Sequence, residues 1–303
     1  MLNKFKQYYS KAKMNQERLY QGYTWTKEDI DDDLIYNVPI YDVVNRKYAA
    51  FSSLLEAIKK KDDDPKENGK YFNDHEISDI DFMYMCYLFR LCGSGINYKP
   101  KESVPFYTHG FGNFWIVDLL RLRIFDKERW LENIPAKKYS DNKGYLLPMI
   151  PGGLRDFILN ESLTLFYWMH SCMDNLEIFE LVDLGNDYLQ QLGYKRQNFV
   201  LTAFAMDMAE YYPNKVKRDS KVYIGTNAKK CLKEIYPNVK GIGSNLNVTN
   251  DLLDQLCNLT GDFSYKYDME DVACDFIRYK NNFQSPHHIR MNNGIKYYNN
   301  VFK

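Results

Sequence analysis

Between Lys215 and Lys233 the chain carries one acidic residue, Asp219, among Lys215, Lys217, Arg218, Lys221, Lys229, Lys230 and Lys233. A carboxylate in that setting is suited to moving a proton or to stabilising positive charge at a reacting centre. The cations around it suit nucleic-acid phosphates or a phosphorylated leaving group. Asp219 is therefore the candidate catalytic residue. Lys217, Arg218 and Lys221 are candidate substrate and phosphate contacts, with Tyr223 as a pocket wall, and Lys215, Lys229 and Lys230 are candidate DNA contacts. A purely structural alternative stays open, in which Asp219 caps a helix or pairs with Lys217 or Arg218 and residues 229–233 line a solvated face.

Other loops add chemistry of their own. Lys195-Arg196 sets two cations in a turn, suited to DNA or to a plain surface. His109-Gly110-Phe111-Gly112-Asn113 offers a titratable donor beside an aromatic that can stack on a base. Pro151-Gly152-Gly153-Leu154-Arg155 brings backbone amides and an arginine to a helix start, where anions are favoured. Each also fits an ordinary turn. Gly93-Ser94-Gly95-Ile96-Asn97-Tyr98-Lys99 lacks the spacing of a phosphate-binding P-loop, which excludes a kinase of the usual type. Arg90, just before it, reads as an exposed helix end, with a phosphate contact as the alternative. The five histidines have no i,i+4 spacing and the six cysteines form no CxxC, so no metal or other cofactor is expected.

Helices must hold these residues. Phe5, Tyr8, Tyr9, Ala12 and Leu19 recur at helical spacing over 4–20, and Thr26 suits the cap of a helix with Glu28 and Asp29 in its first turn. Apolar spacing predicts further helices over 43–58, 77–91, 113–125, 154–172, 174–184, 187–192, 198–210, 227–235, 249–259 and 269–280. Phe166 and Trp168 are expected in a core. Strand-like alternation is scarce, and Lys221-Val222-Tyr223-Ile224 is too short for a sheet. The charged loop 59–70 separates an N-terminal helical module, 1–60, from a larger helical domain, 71–303, unless the two form one continuous unit. The fold class is mainly α.

The 303 residues carry 40 Lys plus Arg and 40 Asp plus Glu, a zero net charge that excludes a uniformly basic nucleic-acid coat but permits a local basic face. The 26 Tyr and 18 Phe fit either a stacking surface or the codon bias of an AT-rich genome. Met1 to Tyr9 lacks the apolar stretch of a signal peptide, and no run approaches membrane-spanning length. A cytoplasmic protein with free thiols, and without a membrane partner, is expected.

From Gln197 to Gly225 the order of motifs resembles helix-hairpin-helix DNA glycosylases. Thr202-Ala203 matches the end of the hairpin motif, a helix and the Pro213 turn follow, and Asp219-Ser220-Lys221-Val222 is similar to an Asp-Thr-His-Val-like motif. Gln197 and Phe199 replace the hairpin's phosphate-binding glycines, Leu201 replaces the Schiff-base lysine of lyase-type members, and the four-cysteine iron–sulfur pattern is missing.

A closer resemblance is to a phage-associated branch of that fold, the alpha-glutamyl/putrescinyl thymine pyrophosphorylases and related amino acid:DNA transferases. Trp25-Thr26-Lys27-Glu28-Asp29 with Asn37-Val38 and Asp42 looks like the module shared with hydroxymethyluracil DNA kinases, although Ile40 stands where an arginine is expected. Asp219 through Leu232 is similar to an Asp…Gly-Pro-Gly-Ala-x-x-Gly-Leu block that retains Gly225, Ala228 and Leu232. Met269 through Tyr279 looks like a Leu-Cys-Glu-Phe-x-Lys-Tyr signature. The resemblance implies a glycosylase-like helical fold that flips a base from double-stranded DNA. It implies exchange of the (pyro)phosphate on 5-hydroxymethyluracil for an amine, an amino acid or a polyamine, in a phage-infected bacterial cell. Gly225 joins the substrate-binding candidates on that basis. The alternatives are a monofunctional glycosylase excising a modified base and a non-catalytic DNA-binding protein.

Overall fold

The computed structural model describes residues 1–37, 44–48, 78–92, 157, 160–261 and 265–282. The expected helix 113–125, most of 43–58, the loops 59–70 and 93–99, and the candidates His109 and Arg155 lie outside the described residues. In chain order the helices are α1 (Leu2–Tyr20), α2 (Lys27–Ile30), α3 (Asp33–Asn37), α4 (Asp79–Cys92), α5 (Ser162–Cys172), α6 (Ile178–Gln191), α7 (Asn198–Tyr211), α8 (Thr226–Ile235), α9 (Leu246–Thr260) and α10 (Lys266–Lys280). A 3-10 turn spans Arg46–Tyr48. Among the described residues there is no strand, only an isolated parallel bridge between Leu176 and Val216. The protein is mainly α-helical, as the spacing predicts.

Two compact units divide the described chain. The first holds 1–37, 44–48, 177–179, 217–261 and 265–282, and the second holds 78–92, 157, 160–176 and 180–216. This division departs from the expected boundary at 60–71. Residues of the N-terminal module fold with the far end of the chain, a long-range pairing that local composition does not encode.

In the first unit α10 packs on α1, α8, α9 and the 3-10 turn. Of the residues predicted to form the apolar face of α1, Phe5, Tyr8, Tyr9 and Ala12 turn inward while Leu19, near the helix end, is exposed; Phe5 meets Phe276 of α10 edge-on, with centroids 5.3 Å apart. Burying rings of this size contributes about 1.5–3 kcal/mol each. Two buried amides tie down backbone that no helix satisfies. Asn15 Nδ2 donates to the Ile35 carbonyl at 2.6 Å, while Gln16 Oε1 accepts from the amides of Val44 and Asn45. Thr26 caps α2 as expected, in a reciprocal box with Asp29.

In the second unit α7 is buried over all of residues 200–209, the signature of a helix with no solvated face. It packs on α4, which also carries α5, and Tyr87 of α4 meets Phe204 of α7 at 5.3 Å. Arg90 is neither an exposed helix end nor a phosphate contact. It is 3% exposed and grips the fully buried Asp207 with two hydrogen bonds of 2.6 Å. Nor is α6 two helices, since Gly185 lies within it. A Cβ there would come within 2.9 Å of Leu201 Cδ1 and Met169 Sδ, so the glycine serves close packing rather than a chain stop. Phe166 is in the core as expected, whereas Trp168 is 44% exposed because it lies on the opposite face of α5.

Candidate functional site

Helix α10 does something unusual with its sequence. Its apolar residues Met269, Val272, Ala273, Phe276 and Ile277 are buried, yet Asp268, Glu270 and Asp275 are buried with them. Charges are costly inside a protein unless partners hold them, and such clusters concentrate at functional sites. Here the partners come from distant segments. Asp268 accepts the amide of Arg46 at 2.6 Å, and Arg46 Nη1 reaches Asp271 Oδ2 at 2.7 Å. Glu270 Oε1 accepts the amide of Gly225 at 2.7 Å, at the start of α8. Asp275 pairs with Arg278 one turn on.

Burial governs how these groups ionise. It pushes the Glu270 carboxyl up to about 8, helped by the neighbouring Asp271 charge and opposed by the Gly225 amide, Arg46 and Arg278. Burial likewise pushes Asp275 up to about 7 against the pull of Arg278. Desolvation raises the Cys274 thiol well above its ordinary range, so it is not a thiolate nucleophile near neutral pH. Burial thus favours the protonated form of both carboxyls.

The loop 219–225 leading into α8 is pinned along its backbone. Buried Ser220 Oγ accepts the amide of Ile178 at 2.6 Å, the Lys221 carbonyl accepts that of Phe179, and the Lys221 amide donates to Glu177 Oε2. Asn250 brackets Val222, accepting its amide at 2.9 Å and donating to its carbonyl at 3.1 Å. Gly225 is the extended residue that opens α8. Asp219 itself projects outward, its side chain 88% exposed. Its ion pair is with Lys266 of α10, Nζ to Oδ1 at 2.8 Å, and not with Lys217 or Arg218.

The basic candidates fall into both units. Lys217, Arg218, Lys221 and Tyr223 are half-buried beside Asp219 in sequence, Lys230 is exposed, and the Lys229 stem lies against Gly243. In the second unit Lys215 is half-buried, while Lys195 and Arg196 are exposed in the turn between α6 and α7. Arg196 pairs with Asp183 at 2.5 Å. The buried Gln197 amide, at a position where the resemblance calls for a phosphate-binding glycine, is taken by Asn186 Oδ1 at 2.6 Å. Behind this turn a recess lined by Tyr87, Leu91, Leu189, Val200 and Leu201 offers about 10 Å³, room for a water and no more.

In the sequence Glu270 and Asp275 are only positions within the 269–279 segment, with no role assigned. The available signal was the density of acids on a helix whose remaining positions are apolar. Among the described residues no group of three His, Cys, Asp or Glu side chains is placed to hold a metal ion, and no helix is long and apolar enough to cross a membrane. No protein-family model, curated protein or solved structure matches the chain.

Proposed function

We propose that the protein is a DNA base-modifying transferase that exchanges the (pyro)phosphate on 5-hydroxymethyluracil for an amine. One observation carries the reading: the three separated sequence blocks behind the resemblance share hydrogen bonds within one unit. Tyr279 of the last block donates to Asp32, within the span of the first, at 2.5 Å, and Gly225 of the middle block donates to Glu270 of the last at 2.7 Å.

In the proposed reaction the C–O bond to the leaving group breaks and a C–N bond to the amine forms. Pyrophosphate or phosphate departs, and the ammonium proton passes to a carboxylate. Asp219, paired with Lys266, receives or directs that proton. Lys217, Arg218 and Lys221 gather the phosphate oxygens, and Lys229 and Lys230 extend the contact toward the DNA backbone.

The test is a duplex carrying the pyrophosphorylated base, incubated with pooled amino acids and polyamines and analysed as nucleosides by mass spectrometry. An amine-bearing thymidine with release of pyrophosphate is expected, and Asp219→Asn should lose the product while DNA binding persists. An abasic site cleaved by alkali would replace this reading with a glycosylase. Binding without any change to the DNA would replace it with a non-catalytic binder.

A further inference from the structure

Lysine normally keeps its ammonium in water and its stem on the surface. Lys266 does the reverse: its side chain is 11% exposed, while the carboxylates it holds, Asp219 and Asp254, are 88% and 51% exposed. Its Nζ lies 2.8 Å from Asp219 Oδ1 and 3.3 Å from Asp254 Oδ1. The three residues come from three elements, the loop before α8, helix α9 and the first position of α10. Lys266 opens the same helix that carries Glu270, so the ammonium ties an exposed carboxylate to the charged helix. Burial works against its charge, but the hydrogen bond it donates to Asp219 and the field of Asp254 outweigh that and raise its pKa. It is therefore a fixed cation and not an amine nucleophile.

We infer that Lys266 is the positioning residue for Asp219, holding its Oδ1 so that Oδ2 faces the incoming amine. The inference rests on the transferase reading, and its test separates the two. Carbodiimide-driven labelling of carboxylates, read by peptide mass spectrometry, measures the pairing without any assay of activity, with exposed Asp251 as internal reference. Asp219 is expected to label slowly in the wild type, severalfold faster in Lys266→Met, and at nearly the wild-type rate in Lys266→Arg. In the transfer assay Lys266→Met should lower kcat by up to about a hundredfold with the KM for DNA unchanged, and Lys266→Arg should restore most of the rate. A residue that merely supports the fold would not split kcat from KM in this way or be rescued by arginine. Equal labelling of Asp219 in wild type and Lys266→Met overturns the inference, and so does faster labelling with unaltered kcat. Faster labelling in Lys266→Met, in a protein whose wild type transfers no amine at all, overturns the transferase reading and the catalytic purpose of Lys266 while leaving the ion pair in place.

Discussion

Asp219 and Asp207 show how differently one residue type is used. Asp219 stands in water with a single lysine contact, and its removal touches no core. Asp207 is fully buried in α7 and accepts two hydrogen bonds from Arg90. Stripping one partner from such a pair leaves an unpaired buried charge, which costs about 3–5 kcal/mol, whereas replacing both with apolar residues of similar volume is near neutral. Arg90→Leu should therefore lower the urea midpoint of the second unit strongly, and adding Asp207→Leu should recover much of it. A single variant within about 0.5 kcal/mol of wild type would mean that the pair is not buried as described.

Helix existence follows from apolar spacing, and most of the expected helices occur, with ends displaced by a few residues. What the sequence misses is tertiary. Apolar spacing gives two short helices, 174–184 and 187–192, where one runs through Gly185, whose constraint comes from Leu201 and Met169, distant in sequence and almost fully buried. Trp168 reads as core because large apolar residues usually are, and only the packing of α5 on α4 shows which face is covered. The contrast with Gly193 gives a test. Gly193 ends the turn after α6 at φ +79° with open space around it, so alanine there suffers backbone strain of about 1–2 kcal/mol and no clash. At Gly185 a methyl group meets immobile neighbours, and overpacking costs about 1–3 kcal/mol. Gly185→Ala should lower the melting temperature, and a compensating Leu201→Ala should relieve the clash while Gly193→Ala gains nothing from it. If Leu201→Ala adds its full cost to both, the close approach is not the reason for the glycine.

A chain with zero formal charge at neutral pH looks indifferent to mild changes of pH, and its composition gives no warning otherwise. The first unit contradicts that appearance. The acids of its charged helix stand out in the sequence, but the burial that changes their chemistry comes from packing against α8 and α9, with α1 and the 3-10 turn, which local composition does not encode. Glu270 rises from 4.5 to about 8 and Asp275 from 3.8 to about 7 on folding. The folded state thus holds protons that the unfolded chain has released, so stability is full below the unfolded values and falls as pH rises through the folded ones. Each group contributes up to about 1.4 kcal/mol per pH unit within its window. His170 in the second unit has the opposite sign, since burial and Lys215 lower its pKa and its contribution is lost as pH falls. Lys266 is raised from 10.5 and titrates above the window. Urea unfolding followed between pH 5 and 8.5 should show the first unit weakening toward alkali, most steeply below about pH 7 where both carboxyls titrate. Glu270→Gln keeps an acceptor for the Gly225 amide without the ionisation, so it should flatten the slope above about pH 7 and make the unit more stable than wild type at pH 8.5. A wild-type profile that is flat or rises toward alkali would show that these carboxyls are ionised throughout.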